Sequence, residues 1–338
     1  MRERLRMEIE RTLVPMLRGK SSHICIIDPP GHPNVGDSAI LLGELDFISR
    51  HFPQARLSFY DVESYSPAAD RYIEQATVLL IHGGGNFGDI WPHHHRLRMR
   101  VIERFAHKAT IQMPQSIHFD SRDELAATAA AIKAHSDLTL LVRDKRSFDL
   151  AQSSFECAIR LVPDMAFAMR PIVRHPPDVD YFCLLRTDKE AAVDHVSILD
   201  ALHRHGGTTE SRDWLDEPQT LAARLDRRLG WRTKANPAST ASLRPVMTRL
   251  RRHHALQRLR YGVKLLSRGR TVVTDRLHAH ILSCLLHIPN LTFDSYDGKI
   301  SAFYETWTHE HPASKLVASP ADLIATHAAL AASPRGGR

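Results

Sequence analysis

The sequence predicts an α/β protein with two Rossmann-like domains facing a cleft. Three observations carry this. Short apolar runs alternate with stretches of helical periodicity through the first half of the chain. A Pro-rich stretch without periodicity, RPIVRHPPDVD, interrupts the alternation, which then restarts. The 338 residues exceed one ordinary domain and suit two.

The chain opens with MRERLRMEIERTLVPMLRGK, an amphipathic helix whose apolar stripe is Leu5, Ile9, Leu13 and Leu17. It is read as packed on the body, with a membrane-surface role as the alternative. Its acids and bases leave no apolar centre, so it is not a secretory signal. HICIIDP is the first strand, followed by the loop GHPNVGD and the helix SAILLGELDFISRHF. ATVLLIH is the second, followed by the loop GGGNFGD and a helix through Leu97, Val101 and Phe105. ATIQMPQ, LTLLVRD and AIRLVPD are further strands, with helices ELAATAAAIKAH and KRSFDLAQSS between them. These elements make an N-terminal α/β domain over 1–172. A C-terminal α/β domain over 180–332 takes the strands YFCLLRTD, TVVTD and NLTFD and the helices RLHAHILSCLLH, ISAFYETW and ADLIATHAALAAS. The tail 333–338, SPRGGR, is expected to be disordered.

Composition bounds the function. Hydrophobic residues make up 43% and charged residues 25%, as in soluble globular proteins. No run reaches the roughly 18 apolar residues that span a bilayer. Cys25, Cys157, Cys183 and Cys284 show no CxxC spacing and read as free thiols in a reducing, cytoplasmic setting. The net charge of +7 suits an anionic partner. Much of it falls between Arg244 and Arg270, read as a helix with a solvated or membrane-facing basic face and an apolar seam through Leu250, Leu256, Leu259 and Val263. No nucleic-acid motif accompanies it, so nucleic acid is not expected as a partner.

Ligands of such sheets bind beyond the carboxyl ends of the strands, which directs attention to the loops. The loop from Gly31 to Asp37 offers Asn34 and backbone N–H groups at a helix start, with Asp37 as candidate cap. The loop from His82 to Asp89 holds three consecutive glycines, which cost chain entropy unless something must approach the backbone. Gly84 and Gly85 are thus read as ligand-approach positions, with Asn86 and Asp89 as the polar groups facing ligand hydroxyls. The loop is neither GxGxxG nor Walker A, so no nucleotide function follows. Consecutive His93, His94 and His95 diverge on a helix and read as surface or cleft-rim residues; no metal site is expected. Gln115, Ser116, Arg143, Asp144 and Asp164 sit at strand ends, where each alone reads as a cap or turn residue. Arg186 directly follows a buried strand. In TDRLHAH, Arg276 and His278 can hold an anion together at a strand-to-helix turn, with Asp275 as the cap. His278 and His280 are two apart and diverge on a helix; His278 is the one assigned to the site.

The segments GHPNVGD, HGGGNFGD, MPQSI, VRDKRS, PDMAF, VVTDRLHAHILSCLLHIPN and SYDGKISAFYETW run in order from about His23 to Trp307. Together they resemble the polysaccharide pyruvyltransferase family. That resemblance implies a fold like the GT-B glycosyltransferases and pyruvyl transfer from phosphoenolpyruvate, the co-substrate, with no other cofactor. The acceptor it implies is a sugar of an exopolysaccharide or of its lipid-linked precursor, leaving a pyruvate ketal and phosphate. Carried over, Arg276, Leu277, His278, Arg186 and Lys299 (in DGKI) belong to the donor site. His278 is the general acid, and Asp89 takes the hydroxyl proton. Asn34, Asp37, Gly84, Gly85 and Asn86 face the acceptor. The basic stretch Arg251–Arg260 lies outside the family motifs and is assigned to the acceptor or to an acidic membrane surface. Two alternatives stand beside this reading: a nucleotide-sugar glycosyltransferase, and a basic docking protein without turnover.

Overall fold

A computed structural model describes residues 1–31, 34–188, 190–216 and 221–332. The tail at 333–338 lies outside the described residues, as do His32 and Pro33 of the first loop. Helix α1 (Arg2–Leu17) buries Leu5, Ile9, Leu13 and Leu17, the predicted stripe. It is pinned to the body by Arg2 Nη2, which donates to the Met169 carbonyl at 2.6 Å.

The first sheet has seven strands: β1 (His23–Ile27), β2 (Arg56–Tyr60), β3 (Val78–Ile81), β4 (Gly84–Gly88), β5 (Thr110–His118), β6 (Leu138–Val142) and β7 (Ala158–Leu161). Its order is β2-β1-β3-β5-β6-β7, all parallel, with β4 also beside β5. Helices α2 (Val35–His51), α3 (Asp70–Ile73), α4 (Pro92–Arg104), α5 (Arg122–Lys133) and α6 (Lys145–Ser154) provide the crossovers. The predicted strand–helix alternation is present. Strand β2 escaped prediction because it is a short edge strand, buried only over Ser58–Tyr60.

The glycine-rich segment is strand rather than loop, which corrects the sequence reading. β3 pairs with Thr110–Gln112 of β5, and β4 pairs with Gln115–His118. The two short strands thus share one flank of β5, interrupted at His82-Gly83. A Cβ on Gly83 would sit 2.5 Å from the Pro114 carbonyl oxygen, and one on Gly88 would sit 1.7 Å from that of His118. At both positions the close neighbour is the adjacent strand, not a ligand.

Residues 170–178 form no regular element and lead to the second sheet. This has five parallel strands: β8 (Val179–Leu184), β9 (Thr209–Arg212), β10 (Gly269–Thr274), β11 (Asn290–Thr292) and β12 (Ser314–Leu316), in the order β12-β11-β10-β8-β9. Its helices are α7 (His195–His205), α8 (Leu221–Ala235), α9 (Ser239–Ser267), α10 (Leu277–Leu285), α11 (Lys299–Phe303) and α12 (Leu323–Ala332). One apolar cluster runs from α1 and α2 through Ile24 and Ile26 to Phe182, Leu184 and Val272, so the two sheets share a core.

Helix α9 keeps an exposed basic face, as expected, but not all of its arginines lie on it. It packs along α2, where a Cβ on Gly262 would lie 2.4 Å from Val35. Leu259 and Val263 are buried, as the apolar seam requires. Arg251 is buried as well: its Nη2 donates to Asp61 Oδ2 at 2.6 Å, and its Nε lies 3.5 Å from Asp226 of α8. Arg252 pairs with Asp46 at 2.7 Å. The outward charge falls instead on Arg249, His253, Arg260 and Lys264. The sequence hides this because the acids are 190, 25 and 206 positions away.

Candidate active site

The carboxyl ends of both sheets open onto one cleft of about 430 Å³. On the second sheet, the turn from β10 to α10 sets the geometry. Thr274 Oγ1 donates to the Leu184 carbonyl at 2.6 Å and accepts from the Arg276 N–H at 3.0 Å, fixing the turn against β8. Asp275 is not a helix cap. Its Oδ1 accepts the Arg186 N–H at 2.8 Å and its Oδ2 lies 2.9 Å from His195 Nε2, which ties the ends of β8 and β10 together. The N-cap position of α10 is Arg276, without a side-chain cap bond.

This turn delivers Arg276 and His278 to the cleft, and the end of β8 delivers Arg186. Arg276 Nη2 donates to Asp213 Oδ2 at 2.6 Å, with its guanidinium 5.6 Å above the Trp214 ring. Arg186 grips Asp188 with Nε and Nη2, at 2.8 and 3.0 Å, and its Nη2 also meets Glu190 at 2.8 Å. Burial works to lower the Arg186 pKa, but the Glu190 and Asp188 carboxylates outweigh it and raise the pKa. Lys299 opens α11, pairs with Glu190 and lies 3.2 Å from Asp297. His280 diverges from His278 into a buried network with Asn290 and Thr308 at 2.9 and 2.8 Å, where burial pushes its pKa down to about 4.

The first sheet supplies the facing wall. Asn34, not Asp37, caps α2: its Oδ1 accepts from the Gly36 N–H at 2.9 Å. Asp37 in the first turn lines the cleft with Asn34, Gly85 and Asn86. Asn86 Oδ1 accepts from Arg98 at 2.8 Å and from Gln115 at 3.2 Å, which fixes the amide at the cleft wall. A Cβ on Gly85 would meet Arg143 Nη2 at 3.2 Å and Lys299 Nζ at 3.7 Å. At Gly85 the near neighbours are thus side chains of the cleft rather than the adjacent strand. Gly84, with φ +124°, brings the strand close to Asp37.

Arg143 and Asp164 are the residues whose weight the sequence did not reveal. Each sits at a strand end, and only the fold brings them together. Buried Arg143 donates from Nη1 to Asp164 Oδ2 at 2.7 Å and from Nε to Ser116 Oγ at 3.0 Å. Asp164 Oδ2 also lies 3.3 Å from His278 Nε2 of the opposite sheet. Burial alone would raise the Asp164 pKa; the electrostatic interaction and hydrogen bond with His278, together with the Arg143 charge, overcome this and hold the carboxyl well below the usual range. Room for His278 comes from Gly36, where a Cβ would fall 2.3 Å from the imidazole Nδ1. Asp188, Glu190 and Trp91 also line the cleft, and Trp91 Nε1 donates to Glu190 at 2.9 Å across the two sheets.

Three predicted residues, Gly84, Asp89 and Leu277, are not among those lining the cleft. The Asp89 carboxylate accepts the N–H groups of Asp120 and Ser121 at 2.9 and 2.7 Å, ahead of α5, and is not among the cleft-lining residues. Leu277 is buried in the shared core. Of the three histidines, His93 and His94 are at the cleft, while His95 is buried against Gly88 N–H and Thr128 at 3.2 and 3.0 Å. Burial, helped by the Arg98 charge, lowers the His95 pKa to about 4. For His94, burial acts downward, but the Asp28 carboxylate at 2.8 Å prevails and raises the pKa.

Two parallel sheets thus bring Arg143, Arg186, Arg276, Lys299 and His278, together with the carboxylates of Asp37, Asp188 and Glu190, around one cleft of an α/β protein. Over residues 34–297 the sequence matches the family described as polysaccharide pyruvyl transferase, and the chain belongs to that family. It is a transferase. It is 29% identical to "Putative pyruvyl transferase EpsO" of Bacillus subtilis, over 88% of this chain and 89% of that one. It is 31% identical to "Pyruvyl transferase 1" of Schizosaccharomyces pombe, over 85% and 70% of the respective chains. The crystal structure of an uncharacterized protein from Klebsiella pneumoniae shares the fold, with a TM-score of 0.59 at 19% identity over 92% of this chain and 99% of that one.

Proposed function

We propose that this transferase moves the pyruvyl group of phosphoenolpyruvate onto a saccharide of an exopolysaccharide or its lipid-linked precursor, on a GT-B-like plan in the cytoplasm. The observation that carries this reading is the set of five basic side chains from both sheets around one cleft. Phosphoenolpyruvate brings a carboxylate and a phosphate, which Arg186, Arg276 and Lys299 are suited to hold. In doing so the donor would replace the Asp188, Glu190 and Asp213 carboxylates that now pair with these cations.

His278 would give its proton to the donor's methylene carbon, making the adjacent carbon electrophilic. A sugar hydroxyl would then bond to that carbon and lose its proton to a carboxylate. A second hydroxyl would attack the same carbon, the bond to the phosphate oxygen would break, and phosphate would leave carrying the second hydroxyl's proton, with the ketal closed. Asp89 was the expected proton acceptor; Asp37, which lines the cleft one wall away from His278, is the better placed carboxylate. Asp164 would hold the His278 ring in place. Family membership favours this chemistry over nucleotide-sugar transfer and over docking without turnover.

The test is phosphate release from phosphoenolpyruvate with a panel of galactosides, glucosides and mannosides, run beside Arg276→Ala. Acceptor-dependent release that the variant loses supports donor and site together. Binding of a nucleotide sugar, with no binding of phosphoenolpyruvate by calorimetry, would overturn the reading.

A further inference from the structure

Helix α8 is turned the wrong way round for a soluble helix. Asp226, Gly230 and Thr233 face the body and are buried. Its solvent side carries Leu221, Leu225 and Trp231, at 72%, 40% and 59% exposure. Exposed Arg224, Arg228 and Arg232 interleave with them on the same helical face. Val246, at the start of α9, adds a further exposed apolar side chain at 47%. Residues 221–270 hold fourteen Lys and Arg against one acid, the buried Asp226, a surplus larger than the whole chain's +7.

We propose that the outward face of α8 docks onto an anionic lipid surface. Apolar side chains interleaved with arginines suit the boundary between acyl chains and acidic headgroups. A nucleic acid would use the cations but leave Leu221 and Leu225 in water. A second copy of the chain, meeting this face symmetrically, would set the same cations against each other. The lipid contact stands independently of pyruvyl transfer; only its use, the presentation of a lipid-borne acceptor to the cleft, rests on that reading. The route is short. Leu215, just ahead of α8, lines the cleft. Asp226, Arg227 and Gly230 of α8 border a small pocket with Gly31, at the start of the loop that carries Asn34 and Asp37.

The experiment uses the full chain with neither donor nor acceptor present, so its result does not depend on activity. The protein is sedimented with phosphatidylglycerol vesicles and with phosphatidylcholine vesicles, and tryptophan emission is followed. Binding to the anionic vesicles with a blue shift is expected. Leu221→Ser and Trp231→Ser should each weaken it about tenfold, and Trp231→Ser should lose most of the shift. Arg224→Gln and Arg228→Gln should each weaken it about fivefold. The proposal fails if neither vesicle is bound or both are bound equally. It also fails if Leu221→Ser and Trp231→Ser bind as the parent does, or if duplex DNA is bound more tightly than phosphatidylglycerol. A dimer in light scattering that Trp231→Ser dissociates would make a second copy the occupant instead.

Discussion

His278 Nε2 lies 3.3 Å from Asp164 Oδ2, and the two residues come from opposite halves of the fold, one in the helix after β10 and the other in the turn after β7. The same carboxylate oxygen holds Arg143 at 2.7 Å. One buried anion therefore positions a cation from the first wall of the cleft and a histidine from the second. Asp164→Asn should lower turnover about a hundredfold, since general acid catalysis commonly contributes that much or more. The loss should fall on kcat with the KM for phosphoenolpyruvate little changed, because Arg186, Arg276 and Lys299 are untouched. A KM that rises as far as kcat falls would leave Asp164 a purely structural role.

The Asp164 pair has a stability consequence as well. Its folded pKa lies below the unfolded value of about 4, so its stabilisation is complete above that value and is lost as pH falls below it. Melting temperatures measured from neutral pH into the acid range should drop more steeply for the parent than for Asp164→Asn. At neutral pH the variant should be less stable by about 3 kcal/mol, because it leaves Arg143 buried without its counter-charge.

Gly36→Ala should damage the site while sparing the fold. The new Cβ would meet the His278 ring at 2.3 Å, and a side chain can swing away where a backbone cannot. Displacing His278 by about 1 Å should cost around a hundredfold in kcat. Gly43→Ala on the same helix is the control. Its Cβ would sit 1.8 Å from the Met165 carbonyl oxygen, so it should unfold more readily than Gly36→Ala in urea.

Arg276→Lys should fail to restore donor binding. A lysine keeps the charge but loses the planar fork and the stacking on Trp214. The KM for phosphoenolpyruvate should rise at least about tenfold, with a smaller change in kcat. A near-parental KM would take Arg276 out of the donor site.

His280 should make stability fall on mild acidification. Burial lowers its folded pKa to about 4, so the unfolded chain binds the proton more tightly. Stability should therefore decline as pH drops from about 6.5 towards 4, by up to roughly 3 kcal/mol from this residue. Urea midpoints across that window should be flatter for His280→Gln. Parallel pH dependences would place the loss elsewhere, for example at His95 or His254, whose pKa values are also near 4.

The sequence by itself determined the repeating strands and helices, the buried stripe of α1 and the strand-end positions of Arg186, Arg276 and His278. These are local properties: the apolar period reports which face of an element is buried, and a motif at a strand end needs only its neighbours. Only the tertiary structure decided what required long-range partners. It turned the glycine-rich loop into β4, because the need for bare backbone at Gly83 and Gly88 comes from β5 across the sheet. It drew Arg251 out of the supposed solvated face, because Asp61 and Asp226 meet it from other elements. It sent Asp89 to the backbone ahead of α5, and it joined Arg143, Asp164 and His278 into one cluster. A charge in a sequence has no direction; its role is fixed by whichever opposite charge or backbone group the fold brings within hydrogen-bond reach, and that is a property of packing between elements far apart in the chain.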